Sequence, residues 1–160
     1  MNRDENLGWE VLGGMYSLET NRWKDLLALS RERAKFNDSA RNRYICAKAA
    51  EKLKDYQEAK RELEAALKLD SKHASAQLAM CVVLLREGSS ECNEKARNIF
   101  QGLNERKDLS QDQWRDLVII GGTCLAVFGE HEHAKTWFST LAKEDPNHEG
   151  AAAALAAWQD

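Results

Sequence analysis

The amino-acid sequence predicts an all-α protein, a right-handed solenoid of stacked antiparallel helix pairs that ends in a capping helix. Three observations support this fold class. The 160 residues include a single proline, Pro146, which allows long helices joined by short turns. Apolar residues recur at i, i+4 and i+7, the spacing of one helix face. A unit of about 34 residues also repeats, as expected for stacked helix pairs.

The repeat is clearest in three columns of small and large apolar residues on the predicted second helix of each pair. The columns occur three times, as Ala59, Leu63 and Ala66, then Ala96, Phe100 and Leu103, then Ala134, Phe138 and Leu141. A small residue precedes each set, where the first helix must approach its partner closely: Ala47, Cys81 and Gly122. Two short insertions lengthen the second unit, and we place them in loops at 88–94 and 104–113.

Two segments carry a resemblance to a known family. The stretches "DYQEAKRELEAALKLDS" and "GEHEHAKTWFSTLAKEDP" resemble the second half of the tetratricopeptide repeat (TPR). Within a single domain spanning 1–160, this resemblance implies three repeats at 40–73, 74–110 and 115–148. It also implies that the charged residues of the first stretch lie on a solvated convex face.

The two ends of the chain are predicted to extend the stack. Residues 5–36 are predicted to form a degenerate helix pair, whose second helix carries Trp23 and Leu26 but lacks the expected alanine. At the other end, 149–160 is alanine-rich and contains Leu155 and Trp158. It is predicted to cover the exposed face of the last repeat as a capping helix.

Composition and motifs exclude most chemical functions. The net charge of −3 and the pI near 5.9 give no global attraction for nucleic acid. No apolar run is long enough for membrane insertion, and no catalytic or phosphate-binding motif occurs, so neither an enzyme nor a cofactor is predicted. His131 and His133 point about 200° apart at a helix start, which is unsuited to a metal site.

The four cysteines show no disulfide or metal-binding spacing, which favours a reducing, cytoplasmic location. Cys46, Cys81 and Cys124 fall in apolar helical stretches and are predicted to be buried and inert. Cys92 falls in the predicted 88–94 loop and is expected to be exposed.

By the TPR resemblance, the first helix of each pair lines a concave groove. The predicted binding residues are Val11, Met15, Arg41, Tyr44, Lys48, Leu78, Val82, Leu85, Ile119 and Thr123. This face is mostly apolar, with a cationic patch at Arg41 and Lys48. Two hypotheses for the occupant of the groove are possible. In the first, the groove binds an amphipathic helix or an extended segment of another protein. In the second, the terminal helix or a second copy of the chain fills it.

The sequence therefore predicts a non-enzymatic protein–protein interaction module, an adaptor or scaffold that binds a polypeptide segment. One alternative is a secretion- or assembly-type chaperone that shields an apolar client segment. Another is a structural subunit whose repeats mediate self-association, as a homo-oligomer, or docking into a larger complex.

Overall fold

The computed structural model describes residues 22–157, which form eight helices and no strand. The helices are α1 Trp23–Phe36, α2 Ala40–Lys52, α3 Tyr56–Leu69, α4 Ala74–Glu87, α5 Ser90–Asn104, α6 Gln111–Val127, α7 His131–Glu144 and α8 Glu149–Ala156. They pack as sequential antiparallel pairs, which confirms the predicted all-α architecture. Val11, Met15 and Trp158 lie outside the described residues. The chain divides into two compact units, with the boundary between Ala76 and Gln77 within α4.

The turn between the helices of each repeat contains one residue with a left-handed backbone. These residues are Lys54, Gly88 and Gly129, with φ angles of 62°, 72° and 80°. Each lies seven residues after the small residue predicted on the preceding helix. Glycine adopts this conformation without the steric cost that a side chain imposes. The three turns therefore share one backbone register, although the first contains a lysine.

The helix starts are fixed by side chains that accept backbone N–H bonds. Such N-caps are present at Ser39, Asp55, Ser89, Ser110 and His148. Short polar residues at this position satisfy one of the amides that a helix leaves without an internal partner. At α6, the backbone N–H of Ser110 also donates to the side-chain oxygen of Gln113, the third helical residue, which completes a capping box.

The first insertion lies in a helix rather than in a loop. α5 begins at Ser90, six residues before Ala96, whereas α3 begins only three residues before Ala59. Three residues are close to one helical turn, so the added turn keeps the buried face in phase. Cys92 lies one turn before Ala96 on this face and is only 5% exposed. The predictions of a loop at 88–94 and of an exposed Cys92 are therefore wrong.

The second insertion also adds a helical turn. α6 begins eleven residues before Gly122, whereas α2 begins seven residues before Ala47. The loop that precedes α6 is confined to 105–110, which is shorter than the predicted 104–113. Both insertions therefore lengthen helices and leave the buried columns of the repeat in register.

The predicted columns form the core. All nine of their residues are buried, and none is more than 7% exposed. In the second unit, α6 meets both of its neighbours at a glycine. A Cβ atom at Gly122 would lie 2.5 Å from the Phe138 ring of α7, and one at Gly121 would lie under 3.0 Å from the Phe100 ring of α5. Any side chain would displace these rings, which explains the small residue predicted at Gly122.

Helix α8 packs at the end of the second unit. Its Ala151 is fully buried against Val118 of α6 and Leu141 of α7. Partly buried residues that surround this cluster are Trp114, Ile119, Trp137 and Ala142. The Trp137 ring also meets Phe100 edge-on, at a centroid distance of 5.2 Å.

In the first unit, α3 carries one buried and one half-buried acidic residue. Glu58 is 7% exposed and accepts a bond of 2.5 Å from Arg31 of α1. One turn later, Glu62 pairs with Arg43 of α2 at 3.1 Å. The prediction that the charged residues of this helix lie on a solvated face is wrong for these two glutamates. They instead join α3 to α1 and α2.

Candidate partner-binding surfaces

The predicted binding residues differ widely in exposure. Eight of the ten lie on the described helices α2, α4 and α6. Arg41 and Thr123 are exposed, and Leu78 is buried at 3% exposure. The remaining five are half-buried, namely Tyr44, Lys48, Val82, Leu85 and Ile119. The role of the whole set in binding stays a prediction.

In the first unit, cationic side chains form a line along α2. Arg41, Lys48 and Lys52 recur at intervals of seven and four residues, which places them within about 40° of one line on the helix surface. Arg41 and Lys52 are exposed, and the Lys48 side chain keeps 39% of its area exposed. We name these three residues the α2 stripe. With a rise of 1.5 Å per residue, the stripe is about 16 Å long.

Neighbouring side chains hold the α2 stripe in place. Lys48 pairs with Glu51, the sole acidic residue of α2, at 3.0 Å. The Lys52 ammonium group lies 5.9 Å from the centroid of the Trp23 ring, within the range of a cation–π contact. Tyr44 lies beside the stripe, and its ring is 5.7 Å from that of His73. The stripe is thus a cationic line with an aromatic edge.

In the second unit, α6 presents an apolar surface. Ile119, Thr123 and Val127 follow one another at intervals of four residues, so they lie close together on successive turns. We name these three residues the α6 apolar surface. Val127 is 49% exposed, and residues 117–128 include no charged side chain. Asp116 lies at the amino-terminal edge of this surface.

The polar atom of Thr123 is already satisfied within the helix. Its hydroxyl group donates to the Ile119 carbonyl oxygen at 2.8 Å. The hydroxyl group therefore already has a hydrogen-bond acceptor within the helix, and the methyl group of this exposed threonine is available for an apolar contact. Ile119 packs at its base against the cluster of Val118, Leu141 and Ala151, so the surface continues directly from the core.

The carboxyl-terminal end of the α6 apolar surface is fixed by contacts with α5. The Arg97 guanidinium group lies 4.6 Å from the centroid of the Phe128 ring. Arg97 also donates to Glu130 at 3.0 Å, across the turn that contains Gly129. Both contacts hold the residues that immediately follow Val127, so this side chain is presented on an ordered turn.

Three of the four cysteines have thiols of low reactivity. Burial raises the pKa of the Cys46 and Cys81 thiols to about 12 and also raises the pKa of Cys124. Cys81 additionally donates to the Ala96 carbonyl oxygen at 3.6 Å. A thiol is a poor nucleophile when its pKa lies this far above neutrality. In residues 22–157, no group of three or more metal-binding side chains is assembled.

The comparison with protein families identifies the kind of protein that carries these surfaces. The sequence matches the family described as Coatomer epsilon subunit over residues 1–157. The chain belongs to this family. Coatomer epsilon is a non-enzymatic structural subunit of the COPI coat, built from TPR-like repeats, and it acts by binding other coat proteins. A comparison with curated proteins found no match.

Membership of the coatomer epsilon family decides between the open functional predictions. It favours the structural-subunit alternative over an adaptor or a chaperone. It also agrees with the TPR resemblance, because the helices form TPR-like pairs. Within the part of the chain that the structure describes, no helix is long and apolar enough to cross a bilayer.

Proposed function

We propose that this chain is a structural subunit of the COPI coat that docks onto another coat protein through the α6 apolar surface. The observation that carries the proposal is that Thr123 and Val127 are exposed within a stretch of twelve residues that has no charge. Solvated helix faces normally carry charged residues, whereas the centres of protein interfaces are depleted in them.

The arrangement suits a polypeptide partner. The methyl group of Thr123 and the side chain of Val127 extend the apolar contact that begins at Ile119. Burial of apolar area supplies the driving force for association, and a residue held on an ordered turn loses little entropy when it binds. Asp116 and Glu130 lie at the two ends of the surface in the sequence and provide a polar rim. The coat would supply an apolar helix or extended segment as the occupant.

This proposal also places the chain in the cell. The coatomer epsilon subunit is cytosolic and associated with COPI vesicles and Golgi membranes. Attachment through other coat proteins accounts for such a location.

A matched pair of variants tests the proposal. Val127 of α6 and Leu69 of α3 each end a helix, and they are 49% and 50% exposed. Lysine is favourable at the last position of a helix, so neither Val127→Lys nor Leu69→Lys disturbs folding through the helix dipole. We expect Val127→Lys to reduce co-purification with the other coatomer subunits at least tenfold and Leu69→Lys to leave it unchanged.

Circular dichroism establishes that both variants keep their helices. Undiminished incorporation of Val127→Lys into coatomer would refute docking through α6. Light scattering on the isolated chain tests self-association: a dimer that dissociates in Val127→Lys but not in Leu69→Lys would assign this surface to a second copy of the chain and overturn the proposal.

A further inference from the structure

We propose that Arg97 of α5 is a positioning residue for the α6 apolar surface, which it holds through the turn between α6 and α7. The inference rests on the proposed function, because it concerns how the same surface is presented to the coat partner. Arg97 contacts the residues on either side of Gly129, the residue with the left-handed backbone in this turn. Its effect on docking therefore passes through the turn that follows Val127.

Backbone hydrogen bonds define the conformation of this turn. The amide of Gly129 donates to the Ala126 carbonyl oxygen at 3.0 Å. The amide of Glu130 donates to the Leu125 carbonyl oxygen at 2.9 Å. The two bonds form a Schellman motif, in which a left-handed glycine ends a helix. Val127 lies between the donors and the acceptors of both bonds, so its orientation depends on this motif.

The acidic side chain of the turn is used differently from its counterparts in the two earlier repeats. Asp55 and Ser89, the N-caps of α3 and α5, each accept a backbone N–H of the helix that they begin. Glu130 has the same position before α7, but its carboxylate accepts no such bond from α7. One oxygen instead accepts from Arg97 at 3.0 Å, and the other lies 3.2 Å from His133 Nδ1. The carboxylate therefore links the turn to α5 instead of capping α7.

The exposure of these contacts sets the size of the expected effect. The side chains of Arg97 and Glu130 are 36% and 33% exposed, and the guanidinium group of Arg97 lies 4.6 Å from the Phe128 ring centroid. Ion pairs and cation–π contacts at such positions contribute modestly to the stability of the whole fold. Their loss should chiefly loosen the turn, and ordering it again on binding should weaken docking about threefold to tenfold.

Arg97→Gln and Lys135→Gln make a matched pair for the test. Lys135 pairs with Glu132 within α7 at 3.2 Å and has 40% of its side chain exposed, so each variant removes one positive charge and one ion pair. Hydrogen exchange of the isolated chain measures the amides of 128–130, and titration against the remaining coatomer subunits measures affinity. We expect faster exchange at 128–130 and about threefold to tenfold weaker binding in Arg97→Gln. Lys135→Gln should match the unaltered chain in both.

Glu130→Ser separates a positioning role from a purely structural one. Serine can accept the backbone N–H of α7, as Ser89 does for α5, so the urea midpoint should rise. Binding to the coat subunits should nevertheless weaken about threefold to tenfold, because the contact from Arg97 to the carboxylate is lost. The Arg97→Gln/Glu130→Ser double variant should bind no more weakly than the weaker single variant, because the two residues act as one contact.

Four outcomes would overturn the inference. Unchanged exchange in Arg97→Gln would show that Arg97 does not hold the turn, and unchanged binding would show that docking does not require an ordered turn. Stronger binding of Glu130→Ser would indicate that Arg97 meets the partner directly once its carboxylate is removed. Additive losses in the double variant would show that the two residues act separately.

Val127→Lys distinguishes failure of this inference from failure of the proposed function. Weak binding of Val127→Lys together with normal binding of Arg97→Gln would overturn the positioning role alone and leave docking through α6 intact. Normal binding of Val127→Lys would overturn docking through α6 and, with it, the positioning role of Arg97.

Discussion

The close approach of α6 to α7 predicts opposite effects for the same substitution at two glycines. Gly122 lies where a Cβ atom would be 2.5 Å from the Phe138 ring, whereas a Cβ atom at Gly102 of α5 would meet nothing within 4 Å. Both glycines are inside helices. Replacement by alanine therefore favours the helix at both sites, less so at Gly102 because it lies in the last turn of α5, and the effects on packing are opposite.

The expected change in the free energy of unfolding is the sum of two contributions. Alanine favours a helix interior over glycine by about 1 kcal/mol. Overpacking a core costs about 1–3 kcal/mol, and the upper end applies here because the Phe138 ring is only 2% exposed and has no solvent space into which to move. Gly122→Ala should thus lower the free energy of unfolding by about 2 kcal/mol, and Gly102→Ala should raise it by up to about 1 kcal/mol.

Urea unfolding followed by circular dichroism measures both changes. A loss of about 2 kcal/mol also corresponds to a fall in Tm of about 4–8 °C for a chain of this size. Phe138→Leu provides the rescue, because a smaller side chain removes the overlap. In that background, we expect Gly122→Ala to be neutral or stabilising, which makes the two residues strongly coupled in a double-mutant cycle.

Two results would refute this reasoning. Gly122→Ala could unfold at the same or a higher urea concentration than the unaltered chain, with an unchanged slope. Alternatively, its cost could persist in full beside Phe138→Leu. In either case, the close approach of α7 to α6 would not require a glycine at position 122. The small residue at this position of the repeat would then need an explanation other than close packing.

Two further predictions concern the turn residues and the buried thiols. Lys54→Gly should raise the free energy of unfolding by about 1 kcal/mol, because φ is +62° at this lysine. Gly129→Ala should lower the free energy of unfolding by a similar amount, because φ is +80° at this glycine. Urea unfolding measures both changes, and a shift of the same sign and size in the two variants would contradict this prediction. Cys46 and Cys81 have folded pKa values of about 12, above the ordinary value of 9.0, so the protonated thiols favour the folded state and stability should fall as pH rises from about 9 to 12. In this range, each thiol lowers the free energy of unfolding by about 1.4 kcal/mol per pH unit. The free energy of unfolding of the Cys46→Ala/Cys81→Ala double variant should fall less steeply with pH, and an identical fall would refute the thiol contribution.

The helix pairs were predictable because their core depends on short-range periodicity. Ala59, Leu63 and Ala66 lie at helical spacing, and the same columns recur in the two later pairs, where all are buried. A buried position constrains residue size whichever helix lies against it. Repetition of small and large residues is therefore sufficient to predict both the helices and the buried faces.

The polar contacts of the first unit were not predictable in this way. Glu58 and Glu62 lie one turn apart on α3, a pattern that is equally typical of a solvated face. Their low exposure is made possible by Arg31 and Arg43, which come from two other helices and pair with the two carboxylates. Charge pairing between helices has no fixed sequence spacing, so periodicity alone does not separate a buried carboxylate from an exposed one.

Cys92 shows a different limitation. An inserted segment with Gly88 and two serines has the composition of a loop, yet it contains the N-cap Ser89 followed by a full helical turn. Because three residues nearly complete a turn, the insertion preserves the phase of Ala96 and brings Cys92 onto the buried face. For this segment, the length of the insertion relative to one helical turn predicts the structure better than the composition does.

Exposure alone does not identify the docking surface. Val127 and Leu69 are equally exposed apolar residues at helix ends, but Leu69 lies between Lys68 and Asp70. A partner that buried Leu69 would have to desolvate both charges, whereas burial of Val127 would mainly remove apolar atoms of its own helix from water. The two sites therefore differ in the polar cost of docking rather than in apolar area. If Leu69→Lys impaired coat assembly as much as Val127→Lys, local charge would not be the property that selects the surface.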